Sequence, residues 1–141
     1  MALTPDESPG FLLWHVTLRW QRDMAAALAP LDLTHVQFVL LASTWWLNQQ
    51  GDRPNQLTLA HWAGTDVKMT SQVLRALEAK GLLTRAVDPD DTRARRLQVT
   101  EPGAKLAAQA IEVVEAADRS FFSVAPDIGV LTAILRALAG N

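Results

Sequence analysis

The stretch from Leu59 to Thr100 constrains this chain more than any other, because two short helical signals and a basic hairpin follow one another in it without an intervening linker. Asp66 is an acceptor able to bond the free N–H groups that open a helix, and Gly81 is suited to closing one, so Val67 to Lys80 is predicted helical. Thr70, Val73, Leu74 and Leu77 recur at i, i+3, i+4 and i+7 as a mostly apolar stripe. Lys68, Ser71, Gln72 and Arg75 repeat that spacing on another face. This second face offers cations, a hydroxyl and an amide, the groups that bond phosphate oxygens and base edges. Alone, the pattern also describes a solvated helix face. The candidate DNA-contact set on this helix is Lys68, Thr70, Ser71, Gln72 and Arg75.

The segments on either side sharpen that reading. Leu82 to Val87 and Arg95 to Thr100 are short runs with β-branched residues and alternating polarity, joined by the turn-rich segment from Asp88 to Ala94. Arg93, Arg95 and Arg96 sit at the tip and return strand of this hairpin, where an Arg can enter a narrow minor groove. Asp91 is spaced to orient Arg93 through an ion pair. Asp88 and Asp90 have the first spacing of a calcium loop, but Arg93 stands where that loop needs Gly and Val99 where it needs a bidentate Glu. Upstream, Asn55 is placed to cap a short helix, Gln56 to Ala63, with Leu59 and Ala60 inward and Gly64 and Thr65 as the turn between helices. Helix, turn, helix and hairpin in this order predict a mainly α fold with a small β-hairpin wing, a winged helix-turn-helix.

These residues in register resemble the MarR family of transcriptional regulators. The matching positions are Leu59-Ala60 with Gly64, then Val73, Leu77-Glu78, Lys80-Gly81-Leu82, Arg85, and the wing pattern Asp91, Arg93, Leu97, Val99-Thr100 and Gly103. Thr92 stands where the family often has a second Arg, and Trp62 where a polar residue is usual. The resemblance implies a twofold homodimer held by the first, fifth and sixth helices, with two reading heads set to span adjacent major grooves of a pseudo-palindromic operator on double-stranded DNA. It also implies an effector pocket between the dimer base and the DNA-binding lobe.

The flanking sequence is helical. Phe11 to about Ala29 carries Phe11, Trp14, His15, Leu18, Ala25 and Leu28 on one stripe, and Pro30 ends it. Thr34 and Gln37 have capping-box spacing for a helix from His35 to about Gln49, with Phe38, Leu41 and Trp45 on one side and Val39 and Trp46 on another. Glu101 to about Phe122, capped by Thr100, and Pro126 to Leu138 complete the set. The expected organisation is a single domain over residues 1–141, with the winged lobe at about 33–100 and dimerisation helices at about 9–29 and 101–139. The terminal helices carry apolar stripes that the central lobe is too small to cover, so self-association is expected.

Composition sets further bounds. With 49% hydrophobic residues and no apolar run long enough to span a bilayer, a cytoplasmic protein without membrane contact is expected. The absence of Cys excludes a disulfide framework, a thiolate metal site and a thiol redox switch, and with it the peroxide-sensing branch of the family as a guide. A net charge of -2 argues against indiscriminate nucleic-acid binding. Asp66 to Lys105 nonetheless carries eight Lys and Arg against six Asp and Glu, while the remainder carries five against nine.

Five Trp and no Tyr raise the question of a ligand. Trp14, His15 and Trp45 lie on the two helices that line the family's effector pocket, which would suit an aromatic or lipophilic acid, although Trp at helical spacing also serves as ordinary core. His61 is expected to be exposed. No metal or cofactor is assigned. An enzyme is disfavoured, since the chain has no Gly-rich phosphate loop, no nucleophile elbow and no His pair at zinc spacing. The alternative is a winged-helix protein-interaction module without DNA binding.

Overall fold

Each α-helix opens on a side chain that accepts one of its free N–H groups. The computed structural model describes residues 2–91 and 95–140, and its helices are α1 (Pro9–Leu28), α2 (His35–Gln49), α3 (Gln56–Ala63), α4 (Val67–Ala79), α5 (Glu101–Phe121) and α6 (Ile128–Leu138). Ser8 accepts from Phe11 N–H, Asn55 from Thr58 N–H and Asp66 from Met69 N–H. Thr34 and Gln37 form the full reciprocal box, with bonds of 3.2 and 3.1 Å. Thr100 accepts from Gly103 N–H at 3.1 Å and donates to the Gly81 carbonyl at 2.6 Å, which ties the start of α5 to the end of α4. Two helix starts differ from the sequence reading. α1 begins at Pro9 because Ser8 caps it, and α6 begins at Ile128 because Asp127 accepts from Val130 N–H.

The hairpin strands β1 (Leu83–Val87) and β2 (Arg95–Val99) pair antiparallel, with Leu83 opposite Val99 and Ala86 opposite Arg96. Gly64 takes φ 71° between α3 and α4, and Gly81 takes φ 75° between α4 and β1, a left-handed backbone that a side chain would oppose.

Period-3.6 stripes from five helices meet the hairpin in one core. Leu40 and Leu41 of α2, Leu59 of α3, Leu74 and Leu77 of α4, and Leu83 and Leu97 of the strands are buried together. Met24 and Leu28 of α1 and Ala107 and Ala110 of α5 close it from the other side. The inward face of α2 is Leu40, Leu41, Thr44 and Leu47, whereas Phe38 and Trp45 are only partly buried and Trp46 is exposed. The seam is therefore rotated from the Phe38–Leu41–Trp45 side that the sequence suggested. Thr44 joins it at no cost in unmet polarity because its hydroxyl donates to the Leu40 carbonyl at 2.7 Å.

The outer helices stay uncovered. In α1, Phe11, Leu12, Leu13, Trp14, Val16 and Leu18 are all exposed, and α6 buries no residue while presenting Ile128, Val130, Ile134, Leu135 and Leu138. Among the described residues no single helix is long and apolar enough to cross a membrane.

Candidate nucleic-acid interface

The outer face of α4 is mostly polar and its inner face mostly apolar, which gives the helix one side for packing and one for contact. Lys68, Gln72 and Arg75 are exposed, with Ser71 half-buried beside them. Arg75 folds back along the helix, its Nε 3.4 Å from the Ser71 carbonyl and its Nη2 3.4 Å from Ser71 Oγ. That pre-orients the guanidinium while leaving most of its donors outward.

Thr70 departs from the expected contact set. It is fully buried, its hydroxyl donating to the Asp66 carbonyl at 2.7 Å and, with that hydrogen used, accepting from Thr65 Oγ1 at 2.7 Å. Its place on the apolar stripe decided its role: Thr70 locks the turn between α3 and α4 and does not reach a ligand on the outer face.

The wing divides its arginines. Arg93 lies outside the described residues, and Asp91, its expected partner, is exposed. Arg95 is exposed and lines, with Asn55, Gln56, Leu57, Val67, Arg85 and Leu97, a groove of about 440 Å³ between the hairpin and the starts of α3 and α4. Arg85 within that groove is paired with Glu78 at 3.3 Å. Arg96 turns the other way. Its Nε lies 2.9 Å from Asp88 Oδ2 and its Nη1 donates to the Arg53 carbonyl at 2.9 Å. Asp88 is itself buried, and its Oδ1 accepts from Asp90 N–H at 2.9 Å. Arg96 therefore neutralises a buried carboxylate that folds the hairpin turn, a commitment that competes with the phosphate contact expected for it.

The three residues expected near an effector are spread out. Trp14 is 62% exposed on the apolar face of α1. His15 stacks edge-on against Phe11 and lines a shallow concavity with Leu18, Gln21, Arg22 and Ala25. Trp45 packs against the core from α2. A second cleft, of about 420 Å³, is lined by Gln21 of α1, His35, Val36 and Val39 of α2, and Ala63 and Thr65 at the end of α3. Beside it Trp20 packs edge-on against His35 with centroids 5.0 Å apart, and the Trp20 indole donates to Asp118 of α5 at 2.8 Å. Burial holds the His35 imidazole below its ordinary pKa, partly offset by the Asp118 charge.

Sequence reasoning did not find Trp20, Asn48, Arg53 or Asp88 as organising residues. Their partners lie far away along the chain, and only Asp88, two residues before Asp90 in a turn-rich segment, carried a local signal. His61 is exposed as expected, whereas Trp62 stacks on Trp46 with centroids 5.4 Å apart.

Fold and face together define a winged helix-turn-helix protein of the DNA-reading type. The MarR family profile matches residues 33–94. An HTH-type transcriptional regulator of Bacillus subtilis, YdcH, is 45% identical over 121 residues, covering 86% of this chain and 82% of its own. Among solved structures, a MarR-family transcriptional regulator from Rhodococcus sp. RHA1 superposes with a TM-score of 0.84 at 28% identity, over 99% of this chain and 96% of that one. CouR of Rhodococcus jostii RHA1, at 27% identity, matches in its complex with p-coumaroyl-CoA (TM-score 0.83, 98% of this chain and 96% of that). The transcriptional repressor CouR also matches when bound to a 23-mer DNA duplex (TM-score 0.81, 99% and 98%). The chain belongs to the MarR family and is a transcriptional regulator, not an enzyme.

Proposed function

We propose that this regulator binds a pseudo-palindromic operator in cytoplasmic double-stranded DNA as a twofold homodimer and represses transcription from it. The observation that carries the reading is the outer face of α4, where Lys68, Ser71, Gln72 and Arg75 stand together beside a groove that Arg95 lines from the wing. In this arrangement α4 enters the major groove, Gln72 and Arg75 read base edges, and Lys68 and Arg95 meet phosphates. Arg93, which lies outside the described residues, is assigned the minor-groove contact from its place in the sequence. CouR bound to a DNA duplex supports the same mode of use. The dimer is supported by the uncovered apolar faces of α1 and α6, which are too extensive to stay in water.

An aromatic or lipophilic effector tunes this dimer by favouring a spacing of the two heads that does not fit the operator. The cleft between α1 and α2 beside Trp20 and His35 has the size for such a ligand, and the p-coumaroyl-CoA complex of CouR is consistent with one. Trp14, His15 and Trp45 join the lining only if the second protomer closes over α1.

Footprinting of the DNA around the protein's own gene, followed by titration at several salt concentrations, tests the reading. Protection of two half-sites one helical turn apart, with affinity falling steeply as salt rises, is expected. No DNA retention at low salt, together with a salt-insensitive protein partner, would overturn it in favour of a protein-interaction module.

A further inference from the structure

A two-stranded hairpin satisfies only one edge of each strand, and the open edge of β2 is a liability unless something else pairs with it. Here the end of α2 and the connector after it supply the partners. Asn48 Oδ1 accepts from Val99 N–H at 2.9 Å, while its Nδ2 donates to the Leu97 carbonyl at 3.2 Å and to the Asp52 carbonyl at 2.8 Å. The Pro54 carbonyl accepts from Leu97 N–H at 2.9 Å. One side-chain amide therefore makes, across Gln98, the acceptor and donor bonds that a residue of a neighbouring parallel strand would make.

We propose that Asn48 is the positioning residue of the wing. Its amide fixes the angle at which the hairpin stands to α4, and so sets where Arg95 is presented to DNA. The inference rests on the DNA-binding reading above. Leu97 is buried in the core, so the hairpin stays attached without Asn48 and loses only its setting. The chemistry of the position is narrow. Asp keeps the acceptor for Val99 but turns a carboxylate oxygen toward the Leu97 and Asp52 carbonyls, and Leu offers neither donor nor acceptor.

The test uses Asn48→Asp and Asn48→Leu in the full chain, each with and without Arg93→Ala, titrated onto the DNA that the unaltered protein protects. Amide hydrogen exchange is followed on the free proteins. Exchange at Val99 should accelerate in Asn48→Leu, which removes its acceptor, while Leu41 and Leu74 in the core keep their protection in both variants. Operator affinity should fall about tenfold, as expected for a residue that acts on the contact surface without touching the ligand. In the Arg93→Ala background the further loss should be smaller, because part of what the wing contributes is then already gone while Arg95 remains. Unchanged Val99 exchange in Asn48→Leu, unchanged affinity, or a loss of equal size in both backgrounds overturns the positioning role. Failure of the unaltered protein to retain DNA is visible without any variant and sinks the underlying reading instead.

Discussion

The indole of Trp20 donates to Asp118 Oδ1 across 2.8 Å, joining α1 to α5 between residues 98 positions apart in sequence. His35, the first residue of α2, lies edge-on to that same indole at 5.0 Å. Three helices thus meet at one polar contact between the apolar α1 face and the reading lobe.

Breaking that contact from either side should cost stability. Trp20→Phe leaves the part-buried carboxylate without its donor and should lower unfolding free energy by about 1 to 2 kcal/mol. Asp118→Ala should cost a similar amount, and the double variant less than the sum by about 0.5 to 1.5 kcal/mol. Urea titrations at one fixed protein concentration measure all four proteins, since dimerisation couples stability to concentration. Strict additivity would mean that the bond contributes nothing.

His35 gives the same junction a pH dependence whose sign follows from its environment. Burial lowers the folded-state pKa below the ordinary 6.5. As pH falls, the unfolded chain therefore takes up the proton before the folded one does, and folding is penalised. Stability should be full above about pH 6.5 and decline as pH falls toward the folded value. Denaturation midpoints between about pH 7.5 and about pH 5.5 should drop for the wild type and drop less for His35→Gln. Parallel declines would place the titrating group elsewhere.

Gly103 offers a sharper packing test. It opens α5 against the backbone of Leu82, and a methyl group added there would fall far inside van der Waals contact with the Leu82 carbonyl. That carbonyl is held in place because it accepts from Thr100 N–H at 3.0 Å. Gly103→Ala should therefore cost about 3 kcal/mol or more, despite the better helix propensity of Ala. Gly10 of α1 has nothing within 4 Å of an added methyl and serves as the control. Gly10→Ala should be neutral or stabilising by up to about 1 kcal/mol in the same thermal scans.

What the sequence made legible was local. Caps at Asn55, Asp66 and Thr100, the turn at Gly64 and the stripe through Leu74 and Leu77 all act within a few residues of themselves, and the structure uses them as expected. Thr70 shows where grouping by segment misleads: it stood among the candidate contacts, but its position on the buried stripe prevailed. Arg96 shows the complementary difficulty, because its role depends on a carboxylate and a carbonyl from two other segments. Asn48 and Val99 are 51 residues apart, so no periodicity within α2 marks the amide as a strand partner. Such pairings exist only once the core has set the elements beside one another.

The uncovered terminal helices make a prediction about assembly. Removing Pro126 to Asn141 deletes α6 with its exposed Ile128, Val130, Ile134, Leu135 and Leu138, none of which supports the core of the single chain. The truncated protein should keep its helical circular dichroism per residue yet sediment as a monomer at micromolar concentration, with operator binding sharply reduced. An intact chain that sediments as a monomer under those conditions would sink the dimer.

The residues of the reading face differ in what they touch, and binding measurements separate them. Gln72→Ala should weaken the best operator by about 1 to 3 kcal/mol and relax preference at one position in each half-site, the signature of a base contact. Uniform weakening on specific and random DNA would assign Gln72 to the backbone instead. Arg95 and Arg96, adjacent in β2, should behave differently because their side chains are committed differently. Arg95 lines the groove toward α4, so Arg95→Ala should flatten the plot of log affinity against log salt by about 0.9 for each phosphate it neutralises. Arg96 is held by Asp88 and the Arg53 carbonyl, so Arg96→Ala should leave that slope unchanged while exposing Asp88 and loosening the hairpin turn. Hydrogen exchange at Asp90 N–H, which Asp88 holds, should then accelerate. A slope that drops as much for Arg96→Ala as for Arg95→Ala would show that the Asp88 pair opens on the operator and that both arginines meet phosphates.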